Sequence, residues 1–121
     1  MVRPNLLVID DEVEIRETVT DLLEQSGYNV VGLANGQQAL AYLRHAKSPP
    51  CLILLDLMMP VMSGEAFRKA QLCNPGLAAI PVILVSADPE VAAKARKLQV
   101  ANFLKKPFEV EDLIATVGRY C

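Results

Sequence analysis

Two hydrophobic periodicities alternate along the chain, and this alternation limits the possible folds more than any other feature of the sequence. Short continuous runs of apolar residues occur at 6–9, 52–55 and 82–85, and weaker candidates lie at 29–33 and 101–104. Runs of this length, rich in Val, Ile and Leu, are typical of strands buried on both faces of a sheet. Apolar residues at helical spacing follow each run. The sequence therefore predicts a strand followed by a helix, repeated five times.

Each predicted helix carries an apolar stripe at intervals of three and four residues. The stripes are Ile15, Val19, Leu22 and Leu23; Ala39, Leu40 and Leu43; Ala66, Phe67 and Ala70; Val91, Ala95 and Leu98; and Val110, Leu113, Ile114 and Val117. We expect Asp88 to cap the fourth helix and Pro89 to occupy its first position. Strands that alternate with helices form a parallel sheet with right-handed crossovers and helices on both faces. The sequence therefore predicts an α/β fold of this kind.

Length and composition agree with one domain that spans residues 1–121. The chain is 52% apolar, which suffices for a hydrophobic core. Its 12 basic and 14 acidic residues give a net charge of −2, without the basic excess that a nucleic-acid groove needs. Charged and helix-breaking residues interrupt every stretch that resembles a membrane span or a signal peptide. We expect a cytoplasmic domain without direct nucleic-acid or membrane contacts.

The three cysteines are widely separated in sequence. Cys51, Cys73 and Cys121 form an odd set without a CxxC pair, which predicts neither a disulfide framework nor a zinc site. Cys51 opens an apolar run and is expected to be a small buried hydrophobic residue, whereas Cys121 is expected to be exposed. This cysteine content fits a reducing cytosol.

Polar residues stand where the predicted strands end. They are Asp10-Asp11-Glu12, Asp56, Ser86 and Lys105-Lys106. Because the carboxyl ends of parallel strands meet at one edge, we expect these side chains to gather there. Neighbouring carboxylates repel each other unless they are neutralised, and Mg²⁺ does this through oxygen ligands while it also accepts phosphate oxygens. A carboxylate at such a site can attack phosphorus to form an aspartyl phosphate, and the lysine would stabilise the transferred charge.

The segments around these residues resemble the receiver domain of two-component response regulators, in particular that of single-domain chemotaxis-type regulators. The resemblance rests on four segments: Ile9–Glu12, the D-x-x-M-P-x-M-x-G run Asp56–Gly64, Val85–Ala87 and Lys106–Phe108. It extends over nearly the whole chain. The resemblance implies a flavodoxin-like, doubly wound sheet of five parallel strands in the order 2-1-3-4-5, with five helices.

The resemblance also implies a phosphoacceptor and a metal site. Asp56 would accept a phosphoryl group from a sensor histidine kinase or a histidine phosphotransfer domain. Asp11 would ligate Mg²⁺ or Mn²⁺ directly and Asp10 would do so through a water. Asp56 and the backbone carbonyl of Met58 would complete the protein ligands. The domain would assist its own phosphorylation and dephosphorylation as a switch, and would not be an enzyme acting on a separate substrate.

Further roles follow from the resemblance. Lys106 would pair with a phosphoryl oxygen, and the peptide bond between Lys106 and Pro107 would be cis. Ser86 would hydrogen-bond the phosphoryl group, and Phe103, which stands where Tyr is more usual, would turn inward as Ser86 moves. The fourth helix, fifth strand and fifth helix would form the output face and a possible weak dimer contact. Output would then come from a downstream protein or from an output domain outside this chain.

Other functions agree less well with the residues. A metal-dependent phosphatase with an aspartyl nucleophile, of the haloacid dehalogenase type, needs a second acid two residues after the nucleophile, where this chain has Met58. A nucleotide- or flavin-binding module would need a glycine-rich phosphate loop, and neither GxGxxG nor GxxxxGK[ST] occurs. Taken singly, Asp10 and Asp11 suit a helix cap, and Lys106 suits a solvated surface. The chain is expected to be a stand-alone or N-terminal receiver, with a receiver cut from a hybrid kinase or a transcription factor as the alternative.

Overall fold

Five strands and five helices alternate along residues 3–121, the part of the chain described by this computed structural model. The strands are β1 (Asn5–Ile9), β2 (Asn29–Leu33), β3 (Leu52–Asp56), β4 (Val82–Ser86) and β5 (Asn102–Lys105). The helices are α1 (Val13–Gln25), α2 (Gly36–His45), α3 (Gly64–Leu72), α4 (Val91–Lys97) and α5 (Val110–Gly118). Every predicted strand and helix is confirmed, with shifts of one or two residues at some ends.

The five strands form one parallel sheet in the order β2-β1-β3-β4-β5. The three strands with the strongest apolar runs, β1, β3 and β4, occupy its centre and are buried almost throughout. The weaker candidates, β2 and β5, lie at the two edges and are partly exposed. The flavodoxin-like, doubly wound fold and its strand order are therefore confirmed.

Two hydrophobic cores lie on opposite faces of the sheet, because successive side chains of a strand point to opposite sides. Leu7 packs in the core beneath α2, α3 and α4, where Phe67 is fully buried. Leu6 packs in the core beneath α1 and α5, where Leu113 is fully buried. Because all five strands are parallel and each is followed by a helix, the loops that leave the strands all lie at the carboxyl edge of the sheet.

The start of α4 differs from the prediction. The helix begins at Val91, with Glu90 at the cap position, so Asp88 and Pro89 precede the helix. The Asp88 carboxylate accepts the backbone N–H of Glu90 at 2.8 Å, and it also pairs with Lys94. The carboxylate thus closes a turn ahead of the helix, and the predicted cap at Asp88 was wrong.

The apolar stripe of α5 is only half buried. Leu113 and Val117 are fully buried against the sheet, whereas Val110 is 41% exposed and Ile114 is 37% exposed. Phe103 on the neighbouring strand β5 is 38% exposed. Apolar side chains therefore remain partly exposed on both β5 and α5.

The prediction for the cysteines was wrong, because Cys51 and Cys121 form a disulfide with their Cα atoms 5.7 Å apart. Cys51 lies just before β3 and Cys121 follows α5. The end of α5 therefore lies at the amino edge of the sheet, beside the start of β3. Neither residue is fully buried or fully exposed. Sequence spacing carries no sign of this meeting, since 70 residues separate the two positions. No helix within residues 3–121 is long and apolar enough to cross a membrane.

Candidate functional site

Four strands deliver polar side chains to the carboxyl edge of the sheet. Asp10 follows β1 directly, Asp56 is the last residue of β3, and Ser86 is the last residue of β4. Lys106 follows β5, and the peptide bond between Lys106 and Pro107 is cis. The expected gathering of these residues at one edge is therefore what the sheet produces.

Gly64 shapes the loop that carries Asp56 into the site. The Gly64 N–H donates a hydrogen bond to the carbonyl of Leu57 at 2.9 Å. A Cβ atom at position 64 would lie 2.5 Å from the backbone oxygen of Asp56 and 2.8 Å from the Cα of Leu57. No side chain fits at such distances, so the glycine of the D-x-x-M-P-x-M-x-G run lets α3 start directly against the end of β3.

Three carboxylates converge at this edge. One carboxylate oxygen from each of Asp10, Asp11 and Asp56 lies within 4.8 Å of the others. Asp10 is 4% exposed and Asp56 is 5% exposed, so water screens these two charges poorly. A set of hard oxygen donors with excess negative charge suits a divalent cation such as Mg²⁺.

Lys106 places one positive charge among these acids. Its Nζ lies 2.9 Å from Asp10 Oδ2, 3.2 Å from Glu12 Oε1 and 3.9 Å from Asp56 Oδ2. Burial alone would lower the pKa of Lys106, but the hydrogen bond to Asp10 and the charge of Asp56 raise it overall. The lysine is therefore a fixed cation, and it is held more closely by Asp10 than by Asp56.

Asp56 is the carboxyl whose proton affinity is most altered. Burial raises its pKa from an ordinary value of 3.8 to about 7, against the opposing charge of Lys106 and with a further contribution from Asp10. A weak hydrogen bond from the Met58 N–H to Asp56 Oδ1, 3.4 Å long, favours the charged form. One ammonium group does not offset the burial of so many carboxylates, so a second cation would be well placed here.

Ser86 lies in the wall of the site. It is 1% exposed, and its Oγ accepts the backbone N–H of Asp88 at 3.1 Å. An open cavity of about 80 Å³ is lined by Asp56, Ser86, Lys106 and neighbouring residues. This cavity leaves space beside the Asp56 carboxylate for an incoming group.

The structure separates Phe103 from the other predicted site residues. Asp10, Asp11, Asp56, Met58, Ser86 and Lys106 lie at the carboxyl edge of the sheet. Phe103 lies on β5, three residues before Lys106, where it is paired with Leu84 of β4. It lines a groove beside α4. Its side chain is partly exposed and does not line the cavity beside Asp56.

Sequence reasoning missed one residue that contacts the site. Arg16 on α1 donates from Nη1 to the backbone carbonyl of Asp10 at 2.7 Å. A basic residue on an exposed helix is ordinarily read as a solvated charge, and nothing in its spacing from Asp10 indicates a bond to the backbone.

The fold and this edge together define a doubly wound α/β domain with a cluster of acids and a lysine at the carboxyl ends of its strands. The family model described as "Response regulator receiver domain" matches residues 6–118. The chain belongs to this family, the receiver domains of two-component response regulators.

Curated relatives extend the comparison. The chain is 36% identical over 117 residues to the phosphate regulon transcriptional regulatory protein PhoB of Pseudomonas aeruginosa, covering 95% of this chain and 50% of PhoB. It is 33% identical to the probable transcriptional regulatory protein TcrX of Mycobacterium tuberculosis, covering 90% of this chain and 46% of TcrX. It is 32% identical to the sensor histidine kinase TmoS of Ectopseudomonas mendocina, covering 96% of this chain and 12% of that protein. The chain thus spans half or less of these relatives.

Solved structures of similar length match almost completely. The chemotaxis protein CheY4 of Vibrio cholerae superposes with a TM-score of 0.89 at 30% identity, over 99% of this chain and 100% of CheY4. A response regulator receiver protein from Pseudomonas putida gives a TM-score of 0.87 at 31% identity, over 98% of both chains. The expected likeness to chemotaxis-type regulators is therefore confirmed.

Proposed function

We propose that this domain, residues 1–121, is a phosphorylation-dependent signalling switch that accepts a phosphoryl group on Asp56. The observation that carries the proposal is the placement of the Asp56 carboxylate, which lies with Asp10 and Asp11 in one cluster and 3.9 Å from the Lys106 ammonium. The donor would be the phosphohistidine of a sensor histidine kinase or of a histidine phosphotransfer domain. Membership of the receiver family supports this donor class.

In the proposed reaction, a carboxylate oxygen of Asp56 attacks phosphorus and forms a P–O bond. The P–N bond to the donor imidazole breaks, and the imidazole leaves with the electron pair. Lys106 is positioned to pair with a phosphoryl oxygen, and the Ser86 hydroxyl to donate a hydrogen bond to another. Hydrolysis of the aspartyl phosphate would return the domain to its starting state.

Asp10, Asp11, Asp56 and the Met58 carbonyl would hold Mg²⁺ or Mn²⁺ for this reaction. The raised pKa of Asp56 supports the assignment, because one lysine leaves the cluster short of positive charge. When bound, the cation supplies positive charge to the oxygens of the transferring phosphoryl group. It would also keep Asp56 ionised at neutral pH, as attack on phosphorus requires.

The output face would comprise α4, β5 and α5. The partly exposed Phe103, Val110 and Ile114 support this assignment, since they leave apolar side chains at the surface of β5 and α5. Phe103 would turn inward when Ser86 moves toward the phosphoryl group, which changes the surface that a partner or a second copy meets. A downstream protein or an output domain outside this chain would read that change, without direct contact between this domain and nucleic acid or membrane.

We place the domain in the cytoplasm, where its kinase would present the phosphohistidine. Glutathione there keeps most thiols reduced, so Cys51 and Cys121 would be held as thiols until an oxidant joins them.

The family match does not favour the aspartyl-nucleophile phosphatase, and the position two residues after Asp56 is the 70% exposed Met58. That position offers no proton donor to a leaving group, so the domain would not turn over a separate substrate as an enzyme.

Intact-mass spectrometry tests the proposal. The native chain, incubated with Mg²⁺ and a small phosphodonor such as acetyl phosphate, should gain one phosphoryl group. The matched variant Asp56→Asn should gain none, and a chelator should prevent the gain in the native chain. A folded native chain that stays unmodified, or an Asp56→Asn variant modified to the same extent, contradicts the proposed switch.

A further inference from the structure

Arg16 is fixed between the backbone of Asp10 and strand β2. Its Nη1 donates to the Asp10 carbonyl at 2.7 Å, which is a short, charge-assisted hydrogen bond. Its aliphatic stem crosses β2 at Gly32, where an added Cβ would lie 3.1 Å from Arg16 Cγ, 3.2 Å from Thr20 Oγ1 and 3.3 Å from Arg16 Cδ. The missing side chain at position 32 therefore gives the arginine its path across the sheet edge.

The bond from Arg16 completes the fixation of Asp10. The Asp10 N–H donates to the Leu33 carbonyl at 3.0 Å, and its Oδ1 accepts the Glu12 N–H at 2.9 Å. Its Oδ2 accepts from Lys106. The remaining polar group of Asp10 is its backbone carbonyl, which accepts the bond from Arg16. This carbonyl belongs to the peptide group that joins Asp10 to Asp11. Arg16 thus holds the peptide plane between two of the three clustered acids.

We propose that Arg16 is a positioning residue for the cation site. By fixing the peptide between Asp10 and Asp11, it sets how the two carboxylates are aimed and so raises the affinity of the site for a divalent cation. The inference rests on the proposed function, which assigns the cation to these acids. In the proposed arrangement, Arg16 itself contacts neither the cation nor the phosphoryl group.

Two effects of Arg16 on cation affinity have opposite signs. As a positive charge near the cluster, the guanidinium repels the cation, so its removal would strengthen binding if charge alone mattered. As the holder of the peptide plane, it favours binding, so its removal would weaken it. Residues that orient metal ligands typically change affinity by about 10- to 100-fold when they are replaced. The direction of the change therefore distinguishes positioning from simple electrostatics.

Calorimetric titration with Mg²⁺ alone, without a phosphodonor, gives this direction. We expect Arg16→Ala to weaken Mg²⁺ binding by about 10-fold relative to the native chain. Gly32→Ala should also weaken it, because the new methyl group crowds the arginine stem and shifts it by a few tenths of an ångström while the charge is kept. Arg16→Lys should recover part of the loss. Arg44→Ala, which removes an exposed arginine from α2, is the matched control and should bind as the native chain does.

A second readout is independent of the cation. In metal-free protein, the backbone amide resonance of Asp11 should shift in Arg16→Ala and Gly32→Ala and stay in place in Arg44→Ala. Unchanged or tighter Mg²⁺ binding by Arg16→Ala overturns the positioning role. If that variant fails to fold, unchanged binding by both Arg16→Lys and Gly32→Ala overturns it.

Failure of this inference is distinguishable from failure of the proposed function. If the native chain is phosphorylated on Asp56 but Arg16→Ala binds Mg²⁺ as tightly as the native chain, only the positioning role is lost. If the native chain is never phosphorylated but Arg16→Ala still loses Mg²⁺ affinity, the switch is lost and the positioning role stands. A native chain that does not bind Mg²⁺ overturns both.

Discussion

The ammonium of Lys106 lies 2.9 Å from Asp10 Oδ2 but 3.9 Å from Asp56 Oδ2. The one buried cation of the cluster is therefore used mainly by Asp10, with Glu12 as a second partner. Asp56 receives only partial compensation for its burial, and its pKa is raised to about 7. The Asp56 carboxyl is thus available to a bound cation and to an incoming phosphoryl group. When it is charged and no cation is bound, it lowers the stability of the folded domain.

The pH dependence of stability should show this cost. The folded state holds a proton on Asp56 that the unfolded chain loses near pH 4, so the contribution of Asp56 to the free energy of unfolding falls between about pH 4 and pH 7. In metal-free buffer, Asp56→Asn should be more stable than the native chain by on the order of 4 kcal/mol at pH 8 and by only about 2 kcal/mol at pH 5. Urea unfolding at the two pH values measures the difference.

A variant of the lysine provides the control. Because Lys106 lowers the pKa of Asp56, Lys106→Met should raise that pKa further and widen the pH range over which stability falls. Saturating Mg²⁺ should narrow the range in the native chain. An Asp56→Asn difference that is the same at pH 5 and pH 8 would show that Asp56 titrates normally.

Arg68 should be a large contributor to stability, although it lies away from the acid cluster. It is 6% exposed and donates to the carbonyls of Leu98 and Gln99 at 3.1 and 2.7 Å, and to the Gln71 side chain at 2.8 Å. Arg68→Met would leave these acceptors unpaired and should lower the free energy of unfolding by roughly 3 kcal/mol. Lys69→Met, at the exposed neighbouring position, should change it by less than about 0.5 kcal/mol.

The same substitution should loosen the end of α4. Gln99 has a φ of 55°, in the left-handed region, and the bond from Arg68 to its carbonyl supports this backbone. Amide hydrogen exchange at residues 98–100 should be faster in Arg68→Met than in Lys69→Met. Equal protection in the two variants would show that the α4 end is held by other contacts.

Two glycines should respond to alanine with opposite signs. At Gly64, a methyl group would meet the Asp56 backbone oxygen, so Gly64→Ala should destabilise the domain by roughly 3 kcal/mol. At Gly118, in the last turn of α5, nothing lies within 4 Å of an added Cβ. Gly118→Ala should therefore stabilise the helix by about 0.5 kcal/mol. Urea midpoints give both values, and a neutral Gly64→Ala would contradict the close approach of α3 to β3.

The disulfide should stabilise the oxidised domain. It joins residues 70 apart in sequence, and closing a loop of this length restricts the unfolded chain by about 4 kcal/mol in the chain-entropy estimate. Cys51→Ser should lose most of this stability in non-reducing buffer. Cys73→Ser, which replaces the exposed free cysteine, should lose none. If reductant leaves the unfolding midpoint of the native chain unchanged, the two sulfurs are not joined in solution.

The strands and their ends could be predicted because each carries a local signal. Buried parallel strands require continuous apolar runs, and Leu52–Leu55 shows one directly before Asp56. Once the parallel sheet is inferred, the meeting of Asp10, Asp56 and Lys106 follows from topology alone. The acid cluster was therefore accessible from the sequence without any knowledge of side-chain positions.

The remaining features depend on contacts between segments that carry no local pattern. The bond from Arg16 to the Asp10 carbonyl depends on the gap at Gly32, which lies on another strand. The meeting of Cys51 with Cys121 depends on where α5 ends relative to β3. The start of α4 depends on whether Asp88 caps the helix or closes a turn, and both uses suit the same residue.

The most direct test of the central claim is chemical trapping of the acyl phosphate. The native chain is phosphorylated with acetyl phosphate and Mg²⁺, treated with borohydride, which reduces an acyl phosphate to an alcohol, and mapped by peptide mass spectrometry. The expected result is one reduced residue, at position 56, that is absent when Mg²⁺ is chelated. Reduction at another acid, such as Asp10 or Asp11, or no reduction anywhere in a folded sample, would contradict the assignment of Asp56 as the phosphoacceptor.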